Sequence, residues 1–131
     1  MQHVLSIGPD FTPLERAVLR AICEKHSADR RVLEAQLSSA TVLRRENTGA
    51  GFYTHFAVER TSSAAVGGER LRYGPAVMVS GLVNGMAFIL WLKEGYVDCL
   101  EGYCYDESTT GIAFERVGFD VLEDFPGDIS K

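Results

Sequence analysis

The sequence predicts an α+β fold, with two N-terminal helices packed on one face of an antiparallel, meander-like sheet of about five or six strands. Three observations predict it. Apolar residues recur at helical spacing before residue 38, and from Ala40 onward the period is two. Tight turns join the later strands, and a tight turn excludes a parallel pair, which needs a crossover of a dozen or more residues.

Phe11-Thr12-Pro13-Leu14-Glu15 opens the first helix. Thr12 can cap, Pro13 suits the first helical position, and Glu15 stands three residues after the cap, where it can reach back to the Thr12 amide. Leu14, Ala17, Val18, Ala21 and Ile22 form one face, with Glu15, Arg16, Arg20 and Glu24 mostly elsewhere. The helix should end near His26, whose ring suits the negative end of the helix dipole. Ser27 or Asp29 can cap a shorter helix carrying Val32, Leu33, Ala35 and Leu37. So short a link makes the two helices packed neighbours or a bent pair.

Thr41 to Glu46 reads as a strand, and Phe52, Thr54, Phe56 and Val58 alternate with Tyr53, His55, Ala57 and Glu59 as a second. Between them lies Thr48-Gly49-Ala50-Gly51. A phosphate loop needs a following lysine and a helix, and a dinucleotide fingerprint needs a third glycine and a helix; neither is present, so the glycines read as a turn or bulge. Thr61 to Gly74 reads as a mobile connection, and Ala76 to Val83 as the next strand. Asn84-Gly85 suits a type I′ turn into Met86–Leu92, a strand apolar on both faces that calls for cover on each side. Lys93-Glu94-Gly95 reverses the chain into Tyr96–Glu101, and Ile112 to Phe119 supplies a last strand.

At 131 residues with 46% apolar composition, the chain suits a single domain over residues 1–131. The N-terminal residues lack a basic stretch followed by a long apolar run, and the longest apolar segment is far short of the ~20 residues of a membrane helix, so a cytoplasmic protein without membrane contact is expected. Three cysteines without paired spacing point to reduced thiols rather than a disulfide framework or a metal, and no cofactor is expected.

Charge divides unevenly. Residues 1–60 hold eight Lys/Arg and seven Asp/Glu, whereas residues 61–131 hold five and eleven. With a pI near 5.1, the chain disfavours nucleic acid and favours a basic protein partner.

The segments Thr48–Thr54 (TGAGFYT), Ser80–Phe88 (SGLVNGMAF) and Leu100–Glu107 (LEGYCYDE) resemble a family of small bacterial proteins of uncharacterised function that pair a GxGF-T turn with a late LEGYxYDE segment. The likeness covers about residues 40 to 108. It implies bacterial origin and a stand-alone domain, and assigns no catalytic role to any position.

The candidate binding residues are Asp98, Glu101, Tyr103, Tyr105, Asp106 and Glu107, an acidic, tyrosine-bearing surface suited to a basic macromolecular partner. Strand alternation puts Asp98 and Glu101 on opposite faces, which argues against a carboxylate pair. A solvated acidic edge is the alternative for the same residues, and homodimerisation through an edge strand is a third structural possibility. The competing function is a small enzyme or ligand-binding domain with a cleft between helices and sheet near Thr48–His55. In it His55 would be the base and Cys99 or Cys104 the nucleophile.

Overall fold

The computed structural model describes residues 7–61 and 64–122; His3 and Ser62-Ser63 lie outside them. Two helices, α1 (Pro13–Lys25) and α2 (Arg30–Ser38), separated by a 3-10 turn at Ser27–Asp29, precede six strands. These are β1 (Thr41–Asn47), β2 (Gly51–Ala57), β3 (Leu71–Val79), β4 (Met86–Lys93), β5 (Tyr96–Tyr103) and β6 (Phe119–Val121). All pairings are antiparallel, in the order β1-β2-β5-β4-β3-β6. The predicted α+β fold is therefore present. The meander runs through β3, β4 and β5, while the β1-β2 hairpin docks on β5 instead of β3, so β3 lies on the far side of β4 from β2.

The start of α1 forms as its sequence requires. Thr12 Oγ1 accepts from the Glu15 amide at 3.1 Å, and Glu15 Oε1 accepts from the Thr12 amide at 2.8 Å. Its buried stripe is Leu14, Glu15, Val18, Leu19, Ile22 and Cys23, rotated from the predicted face, with Ala17 and Ala21 half-buried. The observed stripe buries Leu19 and Cys23, and it takes Glu15 with it. Arg45 on β1 reaches across with its Nε 2.9 Å from Glu15 Oε2 and an Nη 2.8 Å from Oε1, and Thr54 donates its hydroxyl to Oε2. An acid at 1% exposure is tolerable only with its oxygens satisfied in this way.

Further polar ties join helix to sheet. Asp29 precedes α2 without capping it, because its carboxylate binds the buried Arg72 at 3.1 Å. Gln36, fully buried, donates to the Ala64 and Gly95 carbonyls and accepts from the Val97 amide. Its amide thereby closes the β4-β5 turn onto α2.

Several strand limits differ from expectation. β3 begins at Leu71, inside the segment read as a connection, and ends at Val79. Asn84-Gly85 is not a type I′ turn, since only Gly85 has positive φ (75°). The Glu107 carboxylate holds the Val83 and Asn84 amides and opens a wider loop there. The turn with two positive φ values is Glu94-Gly95 (57° and 88°), which joins the paired residues Lys93 and Tyr96. The last strand lies at Phe119–Val121 instead of Ile112–Phe119, because Ile112, Phe114 and Val117 fold onto the core and Phe114 packs 4.5 Å from the Phe52 ring centre.

Both helices lie on one face. Leu14, Ile22, Leu33, Leu37, Phe56, Phe88, Leu90 and Leu100 fill the helix–sheet interface at 2% exposure or less, so the predicted cleft there is occupied by packed side chains. Met86–Leu92 is covered on that side alone: Met86, Phe88, Leu90 and Leu92 are buried, while Ala87, Ile89 and Trp91 on the other side are half-buried. Gly102 sits between Phe52 and Phe88 in register, where only a hydrogen fits.

Two substitutions test this packing by urea denaturation. Arg45→Met leaves the Glu15 carboxylate without its cation and should cost about 2–3 kcal/mol, discounted for the partial exposure of Arg45. Gly102→Ala places a Cβ 2.6 Å from Phe88 Cε2 and should cost about 1–3 kcal/mol through overpacking.

Candidate functional site

Strand register determines what the uncovered face displays. Glu46, Tyr53, Glu101, Ile89 and Tyr73 lie side by side across β1, β2, β5, β4 and β3. The adjacent row is Arg44, His55, Cys99, Trp91 and Leu71, and on the opposite flank Gly51, Tyr103, Ala87 and Ala76 continue the pattern. At a strand spacing of about 4.8 Å, a five-residue row spans roughly 19 Å. Tyr73 is 49% exposed and Tyr105 62%, so the aromatic character reaches solvent.

Hydrogen bonds fix much of this surface. Trp91 donates its Nε1–H to Glu101 Oε1 at 2.9 Å. The Tyr53 and His55 rings lie 5.9 Å apart, 24° from parallel, and His55 Nε2 is 3.3 Å from Glu46 Oε1, which also accepts from Arg44 at 3.0 Å. Tyr105 meets Tyr103 edge-on at 5.6 Å.

A bulge places the two acids of β5. Trp91 pairs with Cys99 and Leu92 with Val97, which leaves Asp98 as an extra residue and resets the alternation. Asp98 and Glu101, expected on opposite faces, therefore line one shallow depression of about 380 Å³ with Tyr53, His55, Trp91, Leu92, Lys93 and Cys99.

The remaining predicted residues divide. Tyr103 lies on the same face one row away, with Tyr105 beside it. Asp106 is exposed in a left-handed conformation (φ 57°) beyond the strand. Glu107 is committed to the Val83 and Asn84 amides at 2.7 and 2.5 Å, so it serves the β3-β4 loop. Tyr53, Ile89, Tyr73 and Trp91 were not anticipated as site residues. The double-sided apolarity of Met86–Leu92 was their signal: a face with no helix to cover it is a face for something else.

The Thr48–Gly51 segment is a turn. The Thr48 amide bonds the Gly51 carbonyl, the Gly49 amide Asn47 Oδ1, and the Ala50 amide Thr48 Oγ1. These donors are consumed within the turn, and the Cys104 and Thr109 amides bond its carbonyls.

Burial and carboxylates raise the proton affinity of the thiols and of two phenols. Burial, then Asp98 and Glu101, pushes the Cys99 thiol up to about 12, and burial leads the rise of Cys23 to about 12. Burial, then Glu107, raises Cys104. The charge of Glu101 is the first cause raising Tyr53, while burial followed by Tyr105 takes Tyr103 up to about 12. His55 and Cys99 face each other in register, yet a nucleophilic thiol requires a lowered pKa, and these surroundings do the opposite. Among the described residues no three His, Cys, Asp or Glu side chains converge as a metal site, and no helix is long and apolar enough to cross a membrane.

Comparison of the chain with protein families, curated proteins and solved structures yields no match.

The raised thiols predict a pH dependence with a definite sign. Cysteine in the unfolded chain ionises near 9, while Cys23 and Cys99 hold their protons to about 12. Their contribution is complete below pH 9 and is lost as pH rises from 9 to 12, a fall of several kcal/mol in unfolding free energy. Urea titrations across that range check it, and Cys99→Ala should flatten the slope.

Proposed function

We propose that the protein is a non-catalytic binding protein that docks a basic polypeptide on the uncovered face of its sheet. The observation that carries this reading is the contiguous aromatic and apolar surface built around Glu101: Tyr53, Trp91, Ile89 and Tyr103 surround one carboxylate, with Tyr73 and Tyr105 at the margins. Apolar and aromatic surface of this extent, rimmed by polar groups, marks interaction sites.

Charge supports the class of partner. Asp98, Glu101 and Glu46 stand on or beside this face, with Lys93 as a cation at the depression and Arg44 already engaged with Glu46. A basic segment gains from that field during encounter, whereas nucleic-acid phosphates would meet carboxylates. The protonated thiol opposite His55 counts against a Cys–His enzyme.

Amide chemical-shift mapping with polylysine tests the reading. Shifts should concentrate on β2, β4 and β5 and disappear as salt rises to about 1 M, where the screening length is only ~3 Å. Shifts confined to the 106–107 or 115–120 loops, or none, overturn it. Sedimentation gives a second check: a dimer that hides Trp91 would assign the face to another copy of the chain.

A further inference from the structure

Resting on the docking reading above, we infer that the depression between Trp91, Asp98 and Glu101 seats a single arginine side chain of the partner. At about 380 Å³ it lies near the lower end of the roughly 300–1,000 Å³ of small-molecule sites, and it is shallow, so it suits one side chain rather than a whole ligand.

The lining has the chemistry a guanidinium requires. Trp91, the best ring type for a cation, is held in place by its bond to Glu101. The Asp98 bulge puts a second, exposed carboxylate on the same depression. A planar group with five N–H donors can stack on a ring while its edge bonds two carboxylates; a compact, strongly hydrated ammonium cannot do both. Lys93 and His55 also line the depression, so two carboxylates stand against one fixed cation there.

The fold already seats one of its own arginines by this combination. The Arg60 guanidinium carbon lies 4.6 Å from the Tyr96 ring centre, and an Arg60 Nη lies 2.7 Å from Glu94 Oε1, at the turn that ends β4 and begins β5. Ring plus carboxylate recurs a few residues away at Trp91 with Asp98 and Glu101, where no arginine among the described residues lines the depression.

Trp91 is the only tryptophan, so its emission reports on the depression directly. The probes are three short peptides in which glycine alternates with arginine, lysine or citrulline, the last being the neutral counterpart of arginine. The arginine peptide should give a saturable change in emission, the lysine peptide should bind at least tenfold more weakly, and the citrulline peptide should give no change. Asp98→Asn, at an exposed position, should weaken the arginine peptide at least fivefold while leaving the thermal midpoint unchanged, and Glu101→Gln should weaken it similarly. Equal affinity for arginine and lysine peptides overturns the arginine seat while leaving a general basic docking face. Silence of Trp91 toward all three peptides, with polylysine still shifting β2, β4 and β5, does the same. Equal binding of citrulline and arginine peptides overturns both readings.

Discussion

Two short helices cannot cover both faces of a six-stranded sheet. With a rise of about 1.5 Å per residue, helices of 13 and 9 residues are roughly 20 and 14 Å long, against a sheet roughly 24 Å wide. Placing both on one side buries Phe56, Phe88, Leu90 and Leu100 completely or nearly so. The other side of the same strands must then meet water or a partner. Its residues include those a strand uses to pack, tryptophan, tyrosine and isoleucine, set among the charged groups Glu46, Glu101, Asp98 and Arg44. The candidate site is thus a consequence of one-sided cover.

Polar groups hold this arrangement where apolar packing alone would leave it free to slide. Glu15 and Arg45 pin α1 to β1, Asp29 and Arg72 pin the start of α2 to β3, and Gln36 pins α2 to the β4-β5 turn. At the end of the sheet where β2 starts and β5 finishes, Thr109 bonds Asn47 and the Gly51 carbonyl, Cys104 bonds the Ala50 carbonyl, and Glu107 holds the β3-β4 loop. The three segments distinctive in sequence, TGAGFYT, SGLVNGMAF and LEGYCYDE, are therefore bonded to one another. Their glycines and polar residues have structural work at that junction, and Gly51 could not carry a side chain, since a Cβ there would lie 2.0 Å from the Gly102 carbonyl oxygen.

The same electrostatics that disfavours one chemistry favours another. Burial, followed by the Asp98 and Glu101 carboxylates, raises the Cys99 thiol, and Glu101 raises the Tyr53 phenol, the opposite of what activates a nucleophile. The carboxylates equally attract a cation, and rings offer their negative faces to one. A single residue, Glu101, links these effects: it orients Trp91, raises Tyr53 and helps raise Cys99.

What the sequence determined by itself is what depends on neighbours close along the chain. The cap of α1 lies within four residues, strand alternation in β2 is a period of two, and the exclusion of parallel pairing follows from turn length. Tertiary structure decided the rest. The partner of β2 is β5, the Asn84-Gly85 dipeptide yields its turn geometry to Glu107, and Glu15 is buried because Arg45 lies thirty residues away in sequence but in contact in space. Of the six residues singled out from the sequence, Asp98, Glu101 and Tyr103 lie on the uncovered face, with Tyr105 packed against Tyr103, although alternation had put Asp98 and Glu101 on opposite faces; the depression those two line was not legible. It exists because one extra residue at Asp98 resets side-chain direction, and pairing with β4 is what makes that residue extra.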